Sequence, residues 1–73
     1  MNQSSIKSIN GNKLKLNDGT LWEIELTHIS KILYWNENDI IMYHYHRSGL
    51  YSYKLINSTK VIENEVKANK VGF

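Results

Sequence analysis

The chain contains no cysteine and no proline. Without cysteine there is no disulfide framework, no thiolate zinc site and no thiol nucleophile. Without proline, any strand edge lacks one of the usual guards against stray pairing. No apolar run approaches the roughly 20 residues of a membrane-crossing helix, and Met1-Asn-Gln-Ser-Ser carries no signal-peptide core. Charge of one sign is missing too. Nine basic and seven acidic side chains leave a net +2, with four against three in residues 1–36 and five against four in residues 37–73. Binding to a polyanion therefore gains no support from composition. There is no repeat, no low-complexity tract and no linker. The compartment stays open: cytoplasmic if Met1 is the native start, exported if a signal peptide has been removed.

What is present begins with Leu14-Lys-Leu16-Asn-Asp-Gly19-Thr-Leu-Trp22-Glu-Ile24-Glu-Leu26, two alternating segments around an Asn-Asp-Gly turn. A two-residue loop at Asp18-Gly19 would set Lys15 opposite Trp22 and mix charge with apolar groups on both faces. A three-residue loop, Asn17 to Gly19, sets Leu14 opposite Trp22 and Lys13 opposite Glu23. That register gathers Leu14, Leu16, Trp22, Ile24 and Leu26 on one face and forms an ion pair on the other. Gly19 suits the left-handed residue that closes such a loop.

Residues 1–5 are polar and read as a loose N-terminal segment; residues 6–71 read as a single small domain. Ile6 to Ile9 reads as a short first strand, and the spacing of Ile6 and Ile9 breaks alternation, which predicts a bulge or a strand end there. Asn10-Gly11-Asn12 is a turn signal. In the stretch from Thr27 to Trp35, Ile29, Ile32 and Leu33 recur at helical spacing, predicting one 3-10 or α turn with Thr27 as its cap. Asn36 to Asp39 is a polar turn. Ile40–His46 and Leu50–Ile56 predict a second hairpin around Arg47-Ser48-Gly49, with Tyr45 opposite Tyr51 and Tyr43 opposite Tyr53. After a turn at Asn57–Lys60, residues 61–71 supply a last strand with Val66 and Ala68 on its apolar side. Five or six short strands with one helical turn make an all-β domain, a small SH3-like or OB-like barrel whose closure removes most exposed edges. Only roughly 60–65% of the unfolded chain's surface is buried at this length, so each aromatic side chain weighs heavily.

The succession Leu16-Asn-Asp18-Gly19-Thr-Leu-Trp22-Glu-Ile24, then Trp35 and Asp39-Ile-Ile, then Tyr51-Ser-Tyr53-Lys-Leu55-Ile-Asn57 resembles a group of short bacterial proteins of unknown function. Members of that group read roughly L-x-D-G-S/T-x-W-x-V, W-x-x-G-D-x-V and Y-P-Y-x-L-x-N. The likeness covers about residues 6–71. Asn38 stands where the group often has Gly, and Ser52 where it often has Pro. The resemblance implies a compact β-domain, often exported, with no established activity.

The side chains that invite a chemical role each have a structural one. Trp22 and Trp35 read as core anchors. Tyr43, Tyr45, Tyr51 and Tyr53 form an aromatic ladder on one face. Turned inward they are core; turned outward they are a stacking platform for single-stranded nucleic acid or a Pro-rich peptide, with Arg47, Lys54 and Lys31 as the nearest cations. His44 and His46 share a strand face, and His28 or Asp39 would have to join them to hold a metal; solvated strand histidines are the simpler explanation. Asp18 reads as a turn former, Glu23 and Glu25 as solvated carboxylates, and Ser48 lacks a recognisable His-Asp partner. No catalytic constellation, cofactor motif or metal set emerges.

The expectation is thus a non-enzymatic interaction module, a monomer or an edge-paired homodimer. It would contact a protein or small ligand through the aromatic face (Tyr43, Tyr45, Tyr51, Tyr53, with Arg47 and Lys54) or through a strand edge. The alternatives are a small barrel that binds single-stranded nucleic acid and a small phage-type inhibitor.

Overall fold

A computed structural model describes residues 2–72. Six antiparallel strands form one sheet that closes on itself: β1 (Asn2–Asn10), β2 (Lys13–Leu16), β3 (Leu21–Ile24), β4 (Ile40–Ser48), β5 (Tyr51–Asn57) and β6 (Glu65–Val71). Their order around the ring is β1-β2-β3-β6-β5-β4. Two three-stranded meanders, β1–β3 and β4–β6, therefore meet along two seams, β1 against β4 and β3 against β6. A 3-10 turn (Leu26–His28) and the single-turn helix α1 (Ile29–Ile32) join the two halves.

The first hairpin has the register its turn demands. Leu14 lies opposite Trp22 and Lys13 opposite Glu23, and the Lys13 ammonium meets the Glu23 carboxylate at 2.8 Å. Gly19 holds φ +91°, the left-handed conformation that closes the loop without a Cβ penalty. Of the two readings of the Ile6–Ile9 spacing, the structure has the bulge: the register shifts between Ile6 and Ser8 and the strand runs on to Asn10.

Four expectations need correction. Residues 2–5 are not a loose segment: they open β1 and pair with β4, from Asn2 opposite Tyr43 to Ser5 opposite Ile40. Their polar side chains face outward or sit half-buried, and ladder hydrogen bonds rather than apolar burial hold them. The second hairpin turns on two residues, Gly49 and Leu50, with Gly49 at φ +62°. A bulge between Tyr45 and Ser48 takes up the difference, so Tyr45 faces Tyr53 rather than Tyr51, and Tyr43 faces Leu55 rather than Tyr53. The last strand starts at Glu65, because Glu63 at φ +54° breaks the extended path and leaves residues 61–64 as a loop. Thr27 caps nothing; Glu25 and His28 precede the two helical turns, without side-chain capping bonds.

The barrel is filled by Ile6, Leu14, Leu16, Trp22, Ile24, Ile41, Leu55, Val66 and Ala68, and Ile32 and Trp35 plug it from the helical side. Trp22 is fully buried at the centre, its ring 4.8 Å from that of Tyr43 and 4.9 Å from that of Tyr53. Its indole N–H donates to the Thr20 hydroxyl at 2.8 Å. Such aromatic pairs add to area burial, so this trio links the two meanders through the core as the seams do along the backbone.

Candidate functional site

The tyrosine ladder divides into core and tip. Tyr43 is buried and Tyr53 packs on the core through Trp22, so neither ring presents an open face. Tyr45 stands edge-on to Tyr53 at 5.6 Å and is 62% exposed; Tyr51 is half-buried. Lys54 is held by Glu65 at 3.1 Å. Arg47 is exposed, with no ion-pair partner among the described residues. Of the six residues expected to form one binding face, only Tyr45 and Arg47 remain freely accessible, near the tip of the β4–β5 hairpin.

His28 is engaged apart from the His44–His46 pair. His44 and His46 lie with ring centroids 6.0 Å apart. His28 accepts the Lys67 N–H at Nδ1, 3.2 Å. Asp39 is buried and occupied: one carboxylate oxygen accepts the Asn36 N–H and the Asn57 amide, each at 2.9 Å, with the Lys60 ammonium at 3.6 Å. Among the described residues no three His, Asp or Glu side chains are placed to hold a metal ion.

Asp18 exceeds its expected part as a turn former. One carboxylate oxygen accepts both the Thr20 N–H and the Thr20 hydroxyl, and the other accepts the Tyr43 hydroxyl. A continuous chain thus runs from the Trp22 indole N–H through Thr20 to Asp18 and back to Tyr43. Every donor and acceptor in it has a partner, which suits a structural clamp better than a reactive site.

An exposed apolar surface lies at the helical side of the barrel. Ile32 and Trp35 point inward, which turns Leu33 and Tyr34 outward, 74% and 70% exposed. The Trp35 indole donates to the Glu63 carbonyl at 3.0 Å, and the Lys31 ammonium to the Glu65 carbonyl at 3.2 Å. Both bonds hold the β5–β6 loop beside the helical turn, with Val61 and Ile62 outward at 92% and 78% exposure. Between the two elements runs a cleft of about 780 Å³ lined by these four apolar side chains, with Lys60 and Glu63 as its charged members. Leaving four large apolar groups side by side in water forgoes their burial energy, and patches of this kind mark contact sites. Sequence reasoning missed them because Val61 and Ile62 read as strand and Leu33 as the inner face of a helix.

No family model, curated protein or solved structure matches the chain.

Proposed function

We propose that the protein is a non-enzymatic interaction module, a small barrel of the SH3-like or OB-like kind, that binds a short apolar segment of a partner protein in the cleft between α1 and the β5–β6 loop. The observation that carries this is the adjacency of Leu33, Tyr34, Val61 and Ile62, all highly exposed and all lining one concavity. A stable protein pair buries about 800 Å² on each side, so a cleft walled by four apolar side chains fits a short segment better than a second copy of the chain. Single-stranded nucleic acid has less support, because Tyr43 and Tyr53 are engaged with Trp22 and cannot both receive a base.

A capped leucine-rich hexapeptide titrated into the labelled protein tests the proposal. Amide resonances of Leu33, Tyr34, Val61 and Ile62 are expected to move and saturate. The double variant Leu33→Ser with Ile62→Ser should lose the response while keeping its unfolding temperature, since surface changes of this sort cost within about 0.5 kcal/mol each. Unmoved resonances at these four positions, or an undiminished response in the double variant, would exclude the cleft as the contact site.

A further inference from the structure

The two charged side chains in the cleft between α1 and the β5–β6 loop are placed differently. Lys60 and Glu63 stand three residues apart, yet the Lys60 ammonium turns to the buried Asp39 carboxylate at 3.6 Å. A carboxylate taken out of water needs a nearby cation more than one left in it, so Asp39 holds the lysine. Glu63 is exposed, and its carboxylate has neither an ion pair nor a hydrogen bond among the described residues. Within the cleft, then, the positive charge is compensated from the barrel wall and the negative one faces solvent.

The backbone singles out the same residue. Glu63 holds φ +54°, in the left-handed region that disfavours most side chains and suits Gly or Asn. Elsewhere among the described residues the chain fills such positions with glycine or, at Asn38, with asparagine. Glu63 alone among them carries a long charged side chain there, and no bond within the fold uses its carboxylate. Strained backbone of this kind is found where a side chain is held toward a ligand. Here the side chain stands beside Leu33, Tyr34, Val61 and Ile62.

Granted a short apolar segment in this cleft, as proposed, we infer that the segment is also basic. Its bulky apolar side chains meet the four apolar walls, and an adjoining Lys or Arg of the partner pairs with the Glu63 carboxylate. The apolar contacts supply the burial. The ion pair selects among segments of equal hydrophobicity, because an acidic one is repelled by Glu63 and a neutral one leaves it unpaired. Glu63 is thus the residue that sets specificity. The site lies at the helical mouth of the barrel, whereas β1 begins and β6 ends toward the other mouth, at Asn2 and Val71.

The test uses the full chain, isotope-labelled, and three capped peptides: Leu-Lys-Leu-Leu-Lys-Leu and its counterparts with Glu or Ser in place of Lys. All three are expected to shift the amides of Leu33, Tyr34, Val61 and Ile62. The lysine peptide should bind roughly fivefold more tightly than the glutamate peptide at low salt, and this gap should close as salt is raised. Glu63→Gln, which keeps the backbone and whose unfolding temperature serves as the control, should remove the preference, and Glu63→Lys should reverse it. Equal binding of the three peptides, with the four amides still shifting, would overturn the basic partner and leave the apolar cleft standing. Unmoved amides with every peptide would remove both. A lysine preference that survives in Glu63→Gln, or that is lost in Glu37→Gln instead, would overturn the assignment to Glu63. So would shifts at the four positions that depend on protein concentration without any peptide, since the occupant would then be a second copy of the chain.

Discussion

The Tyr43 hydroxyl, on β4, donates to the Asp18 carboxylate in the turn between β2 and β3. One hydrogen bond thus fastens the loop of the first meander to the second strand half, directly over the indole of Trp22, whose N–H ends the same chain through Thr20. Removing only the hydroxyl, in Tyr43→Phe, keeps the ring against Trp22 and deletes this link. The expected loss is about 1.5–3 kcal/mol, the usual range for a hydrogen bond to a charged group. Chemical denaturation of the variant and the parent reads it directly; equal stabilities would mean that the bond is fully exchanged for water.

Stability should fall at both ends of the pH scale. Burial tends to raise the Asp18 carboxyl, but the Thr20 and Tyr43 hydroxyls, the Thr20 N–H and the charge of Lys70 outweigh it and hold it below the ordinary 3.8. Asp39 behaves alike: burial is opposed and outweighed by the Asn36 N–H, the Asn57 amide and Lys60. A carboxyl depressed on folding stabilises the fold above its unfolded value, and that contribution fades as pH drops below 3.8 through the depressed value. Tyr43 is raised above 10.0, first by its bond to Asp18, then by burial and the Asp18 charge. Its contribution is complete below 10.0 and is lost as pH climbs through the raised value. Unfolding temperature measured against pH should form a plateau with two shoulders, and Tyr43→Phe should flatten the alkaline one. A midpoint that stays constant from about pH 5 to about pH 2 would contradict the carboxylate assignments.

Trp22→Ala should cost about 3–5 kcal/mol, through lost burial and the cavity left between Tyr43 and Tyr53. In a domain this small that approaches the entire stability. Near-ultraviolet circular dichroism and amide dispersion of the variant should show a collapsed or unfolded chain, and a native-like spectrum would mean the barrel does not depend on its central indole.

Asn57 is fully buried, donating its amide to Asp39 and accepting the Thr59 N–H at 2.9 Å. Asn57→Ala leaves the Thr59 N–H without this partner and weakens the set that holds Asp39, for an expected cost of about 1–3 kcal/mol. Equilibrium denaturation checks the value, and it should exceed that of the exposed Asn36→Ala measured alongside.

The sequence made the first hairpin legible because two rules coincide there. The Asn-Asp-Gly turn fixes loop length, and a one-residue slip would carry Leu14, Leu16, Trp22 and Ile24 into water. The second hairpin lacked such a constraint. Placing Tyr45 opposite Tyr51 or opposite Tyr53 differs by two residues, which leaves every side chain on the same face, so alternation could not choose between them. Residues 2–5 were illegible for the opposite reason, since a polar strand that joins a seam carries no apolar signature. Val61 and Ile62 have strand-forming side chains, but the left-handed Glu63 and the Trp35 bond to its carbonyl turn them into a loop. The cleft they make with Leu33 and Tyr34 depends on the meeting of two distant segments, and no local pattern announces that.

The ring of strands has a consequence for how the molecule comes apart. Each meander carries half of the apolar filling, and Trp22 from one is walled by Tyr43 and Tyr53 from the other, so neither half is a folding unit. Loss of either seam exposes both, and melting should be all-or-none. The joint between them at Leu33–Glu37 is exposed along most of its length, while the seams lie elsewhere. A cut there severs the polypeptide without touching a strand pair, and the two fragments, disordered apart, should reassemble as complementing halves.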